Sequence, residues 1–154
     1  MNSLHPAEAV RRDQFGRATG IVLLLSIALI HLLDGVQQVH EHFYVFVLYV
    51  LLMAGTLVVS AILLRVDSRV AWSLVTLMAG LTFLAFVLSR TTGLPDFKDD
   101  IGKWTEGLGL ASLFVEGCTV VLGAYKIVTT PSVRDGMNGL ASAVVGQGDA
   151  ESAD

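Results

Sequence analysis

Four long, nearly uncharged stretches predict an all-α membrane protein, an antiparallel four-helix transmembrane bundle. Three observations carry that prediction. The 154 residues are 53% hydrophobic and only 16% charged, and the mean hydropathy of +0.66 exceeds what a soluble domain of this size can hide in one core. Each stretch reaches the roughly 20 residues needed to cross a hydrocarbon core about 30 Å thick. The second and third are separated only by Arg65-Val66-Asp67-Ser68-Arg69, so they must fold back on each other as a helical hairpin.

The spans fall at about 18–38, 43–64, 70–90 and 104–127. The first is interrupted only near its far end, by His31 and Asp34. It follows Arg11, Arg12 and Arg17 as a secretion signal would, but no small-residue cleavage site closes its apolar run, so it is expected to be retained. The second and third are uncharged up to Arg90, and the fourth carries Glu116 at about mid-span. Such unbroken runs read as helices, because a barrel strand alternates apolar with polar over about ten residues. Residues 1–17 form a cytoplasmic N-terminal segment in this reading. Pro131 ends the last helix, and the small, polar residues of 129–154 read as a mostly disordered cytoplasmic tail.

Charge sets the orientation and excludes function classes. Arg11, Arg12, Arg17, Arg65, Arg69, Lys126 and Arg134 flank one side of the spans; Arg90, Lys98 and Lys103 flank the other. Basic residues gather on the cytoplasmic side, which places both termini and the middle turn there. A net charge of −4 with scattered basic residues gives no footprint for nucleic acid. The single cysteine, Cys118, excludes an intrachain disulfide framework. No nucleophile stands beside a base, and no phosphate loop or dinucleotide fingerprint occurs, so an autonomous enzyme is the weakest reading.

Helical rise places several polar residues in one shallow layer near the outer ends: Asp34, Tyr44, Ser89, Arg90 and Glu106. Ionisable groups inside a span are costly unless paired, and here partners can be named: Arg90 bridging Asp34 and Glu106 as an ion-pair clasp. His31 lies one turn deeper on the face of Asp34, with His40 and His42 in the loop above. His31, Asp34, His40, His42 and Glu106 together offer the nitrogen and oxygen donors that zinc or copper(II) accepts, provided His40-Glu41-His42 is extended. Haem is disfavoured, because a bis-histidine site needs two facing histidines at one depth and only His31 is inside a span. Glu116 lies about 18 Å below the outer end by helical rise, apart from that layer. It would need a hydrogen bond, from Thr76 for example, or a partner subunit or water wire. Ser73, Thr76 and Gly80 on the third helix, and Gly109, Glu116 and Gly123 on the fourth, read as close-packing positions.

His31-Leu32-Leu33-Asp34, Ser89-Arg90-Thr91-Thr92-Gly93-Leu94-Pro95 and Trp104-Thr105-Glu106-Gly107-Leu108-Gly109, followed by Ser112, Leu113 and Glu116, give the chain a recognisable pattern. It resembles a group of small bacterial four-span membrane proteins with HLLD-type and SRT-x-GLP-type segments. The resemblance implies that these polar segments form a set, and it implies no activity. The expected location is the bacterial cytoplasmic membrane. The expected function is that of a non-catalytic accessory subunit packing against other membrane subunits of an oxidase, monooxygenase or transport assembly, or against its own copies. The alternative is a stand-alone metal- or proton-binding or transport protein using the outward cluster.

Orientation is directly measurable. Cysteine labels at Ser68 should react only from the cytoplasmic side and labels at Gln37 or Phe97 only from outside; the reverse pattern would overturn the assignment.

Overall fold

Each helix exists for local reasons that the chain states clearly. The structure, a computed structural model, describes residues 6–38, 43–95, 98 and 100–130. These form α1 (Pro6–Gln38), α2 (Phe43–Arg65), α3 (Arg69–Thr91) and α4 (Gly107–Thr129) in an antiparallel bundle. Each helix is long and apolar enough to cross a membrane. The tail beyond Thr130 lies outside the described residues.

Two boundaries differ from the expected spans. α1 starts at Pro6, a dozen residues before the apolar run, because proline suits a first helical turn and nothing between Pro6 and Ala18 breaks the helix. Its membrane-crossing part is Asp13–Val36. α4 starts at Gly107 rather than Trp104, with Glu106 in extended backbone as its N-cap residue. α3 begins where the Ser68 side chain accepts from the Ala71 N–H at 3.1 Å. It ends where the Thr92 and Gly93 N–H groups both bond the Leu88 carbonyl, a stop that needs a left-handed residue, and Gly93 supplies it with φ 76°.

The hairpins α1–α2 and α3–α4 pack more extensively than the seam where α2 turns back into α3. α1 lies along α2, α3 along α4, and α1 also meets α4, whereas α2 and α3 share only a short contact and α1 barely touches α3. The core sits at the end of the bundle where the α2–α3 turn lies, here called the base. It comprises Leu24, Val59, Leu63, Ala71, Trp72 and Val75. Trp72 is completely buried, its indole N–H donates to Asp67 Oδ1 at 2.6 Å, and a Cβ at Gly20 would come within 2.8 Å of its ring. Only 22–28% of each span is buried within the chain. Apolar side chains such as Val22, Leu51, Val70 and Phe114 face outward, which suits a lipid surrounding.

Small residues set the α3–α4 distance. Gly123 abuts Thr76, and Gly80 faces Val120. Ser73, grouped with them by spacing, is exposed and bonds its own helix at the Arg69 carbonyl. Gly123→Val should therefore force α3 and α4 apart and lower stability by about 1–3 kcal/mol, read as the unfolding midpoint in detergent. Gly107→Ala, where an added Cβ meets nothing within 4 Å, should leave that midpoint in place.

Candidate functional site

Above the base the short α2–α3 contact gives out. Gly55 accepts the Met78 side chain so closely that a Cβ there would lie 2.7 Å from the methyl carbon. Beyond that point a cleft of about 420 Å³ opens, with Met78 on its floor and Arg90 at its far end. Twelve residues of α3 separate the two, about 18 Å of helix, more than half of a hydrocarbon core about 30 Å thick. Its apolar walls include Leu48 and Leu51 of α2 and Leu81 and Ala85 of α3. Leu48, Leu51 and Leu81 are 51%, 63% and 57% exposed, so the mouth faces sideways between α2 and α3. The Tyr44 hydroxyl donates to the Pro95 carbonyl, tying the start of α2 to the loop after α3 at the other end of the bundle, the rim.

The polar end of the cleft is built on Arg90. This side chain is only 6% exposed, donates from Nη2 to Glu106 Oε2 at 2.6 Å, and pairs through Nη1 with Asp100. Phe86 lies beneath the guanidinium at 4.8 Å, and Trp104 packs edge-on against Phe86. The loop reaches Arg90 because Gly102, at φ 81°, turns the chain and donates its N–H to the Arg90 carbonyl at 2.9 Å. Arg90 Nε has no hydrogen-bond partner among the described residues. A buried donor left open in this way is costly.

Asp34 is not the second carboxylate of that clasp. It accepts a hydrogen bond from the Tyr49 hydroxyl at 2.7 Å, and Asp100 takes the place expected for it. The physical reason is helix pairing. α1 runs along α2 and scarcely meets α3, so Asp34 finds the hydroxyl of the adjacent helix before it finds Arg90. Both still line the same cleft. Ser89, placed in the same layer, bonds the Phe86 carbonyl of its own helix.

Glu116 is not isolated. It is fully buried, accepts from Ser112 Oγ at 2.6 Å, and has Oε1 3.8 Å from His31 Nε2. Thr76, the expected donor, is bonded to the Trp72 carbonyl instead. α4 starts at Gly107 rather than Trp104, so Glu116 stands three residues, about 4.5 Å, nearer to the start of its helix than expected and beside His31. His31 Nδ1 lies 2.9 Å from the Ile27 carbonyl, which assigns its proton to that nitrogen and turns Nε2 toward the carboxyl. Tyr49 meets the imidazole edge-on at 5.1 Å. Glu116 Oε2 has no partner among the described residues.

For the proposed metal set, His40 and His42 lie outside the described residues. Among the described residues no three His, Cys, Asp or Glu side chains converge as a metal site requires. His31, Asp34 and Glu106 line one cleft but are engaged with Ile27, Tyr49 and Arg90 respectively.

Sequence reasoning overlooked two features. Tyr49 carries a hydroxyl into the outer half of an uncharged span, and that was the available signal. At the base, Lys126 Nζ pairs with Asp13 at 2.7 Å, lies 3.8 Å from Asp67 and sits 5.5 Å from the Trp72 ring centre. Arg17 donates from Nε and Nη2 to the Leu63 carbonyl at 3.0 and 2.8 Å, and Arg69 Nε to the Thr130 carbonyl at 2.6 Å. The charges were legible as flanks of the spans, but Asp13 and Lys126 are 113 residues apart and nothing local joins them.

No protein-family model, curated protein or solved structure matches the chain.

A mutant cycle checks the clasp. Arg90→Ala removes the partner of half-exposed Glu106 and of partly buried Asp100 and should cost roughly 1–3 kcal/mol, between the values for an exposed and a fully buried pair. Its coupling to Glu106→Ala should reach about 0.5–3 kcal/mol and exceed its coupling to Asp34→Ala. Equal couplings would show that Asp34 shares the guanidinium.

Proposed function

We propose that this protein is a membrane-embedded binding protein whose lateral cleft receives an amphiphile, with the apolar chain between α2 and α3 and the polar head beside Arg90 and Asp34. One observation carries this reading. A cleft with apolar walls ends in a layer where, among the described residues, buried Arg90 keeps an open N–H and Asp34 accepts a single hydrogen bond. Small-molecule sites combine these features, a mostly apolar concavity with a few convergent polar groups. The sideways mouth supports a ligand that arrives from the bilayer. With the base in the cytoplasm, as the basic flanks support, the cleft starts at the outer surface and reaches about to the middle of the bilayer.

The accessory-subunit reading keeps one observation in its favour. Phe114, Val121 and Val128 recur at sevens on α4 and are 72%, 70% and 78% exposed. Gly117 and Cys118 lie between them, and small residues allow another helix to approach closely. That reading requires purification with larger partners; the cleft reading is satisfied by a partner-free protein that retains an amphiphile.

Ala85 lines the cleft, and Leu84, its neighbour, is 51% exposed and lies outside it. Ala85→Trp should abolish retention of co-purified amphiphile, measured by native mass spectrometry from a mild detergent, while Leu84→Trp should leave it intact. Equal retention in the wild type and both variants would sink the cleft reading.

A further inference from the structure

The head of the occupant can be assigned from the charges that wait for it, an assignment that rests on the cleft reading above. Three carboxylates line the polar end, Asp34, Asp100 and Glu106, against the single guanidinium of Arg90. That guanidinium is already engaged by two of them. Lys103 stands 3.6 Å from Asp100 but is 59% exposed, so solvent screens it and it does not face the cleft. Asp34 is left with one donor, the Tyr49 hydroxyl, and among the described residues no cation lies within ion-pair distance of it. A carboxylate has about four acceptor positions. An anionic head would meet three carboxylates and a cation already neutralised; a neutral head would leave Asp34 uncompensated.

A second observation is independent of the acids. Arg90 is 6% exposed and lines the cleft, yet its Nε has no partner among the described residues. It donates and cannot accept. The head therefore carries an acceptor oxygen as well as a positive charge.

We infer that the cleft binds an amphiphile whose head is an ammonium with a neighbouring hydroxyl or carbonyl oxygen, the ammonium donating to Asp34 and the oxygen accepting from Arg90. The cation completes the charge of the layer, the oxygen fills the open valence of the buried arginine, and the chain lies along Leu51, Leu81 and Met78 down to the floor of the cleft.

The test uses the purified full chain in a neutral maltoside detergent and three probes of equal chain length: a long-chain 2-amino alcohol, the primary alcohol and the fatty acid. Retention is read by native mass spectrometry in direct competition. The amino alcohol should be retained at least about tenfold over the alcohol, the advantage of a charge-assisted hydrogen bond, and the fatty acid least. Asp34→Asn, which keeps size and the bond from Tyr49, should erase the preference for the amine while alcohol retention persists. Equal retention of amine and alcohol, or a preference for the fatty acid, overturns the head assignment and leaves the cleft reading standing. An amine preference undiminished in Asp34→Asn also overturns it. Failure to retain any probe, or retention indifferent to Ala85→Trp, removes the cleft reading and this inference with it. Should Asp34→Asn not fold, the ranking of the three probes on the wild type decides.

Discussion

Trp72 is the point on which the bundle is assembled. Its ring fills the base, where Gly20 of α1, Leu63 of α2 and Lys126 of α4 all reach it. A large aromatic side chain completely removed from water and lipid needs a partner for its one polar atom, and Asp67 in the α2–α3 turn provides it. Asp67 in turn faces Lys126, which is held by Asp13. One indole thus ties the start of α1, the turn between α2 and α3 and the end of α4. The absence of a side chain at Gly20 is what lets α1 come in over the ring.

A tight base makes room at the other end. Two antiparallel helices joined by a short turn and pinned around a bulky residue need further small residues or polar ties to stay together along their length. α2 and α3 have Gly55 against Met78 and then Leu48, Leu51 and Leu81, which face outward. The polar ties that exist run mostly within each hairpin. Asp34 bonds Tyr49 between α1 and α2, while Arg90 holds Glu106 and Asp100 between α3 and the segment leading into α4. The bonds that cross between hairpins lie at the rim, as Tyr44 to Pro95 does, on the α1–α4 side, as the approach of His31 to Glu116 does, or at the base, where Lys126 meets Asp13 and Asp67. Along the α2–α3 seam the polar tie shown among the described residues, Tyr44 to Pro95, lies at the rim, and the stretch below it is the face that opens.

The same separation explains why the polar end of the cleft is incompletely satisfied. Arg90 is fixed by its loop and by the ring of Phe86 beneath it, so it cannot swing to Asp34 without losing Glu106 and Asp100. Asp34 is fixed by Tyr49. Two rigid walls each hold polar groups that do not complete one another, and preorganised groups of this kind suit a ligand that bridges them.

The sequence by itself determined the class and the scaffold: four helices, their order, the α2–α3 hairpin, and the gathering of Asp34, Arg90 and Glu106 toward one end. These are local properties, set by lengths of uncharged chain and by helical rise. It also marked His31 and Glu116 as unusual, because a titratable group in an apolar run stands out wherever the run folds. Partner choice was decided only in the tertiary structure. Whether Arg90 meets Asp34 or Asp100 depends on which helices lie side by side and on a glycine-turned loop. The level of Glu116 depends on where α4 begins, and the bond between Asp13 and Lys126 on the closing of α4 against α1. The cleft is likewise invisible in the sequence, since it arises from two helices diverging, and that divergence is set by packing around Trp72 at the opposite end.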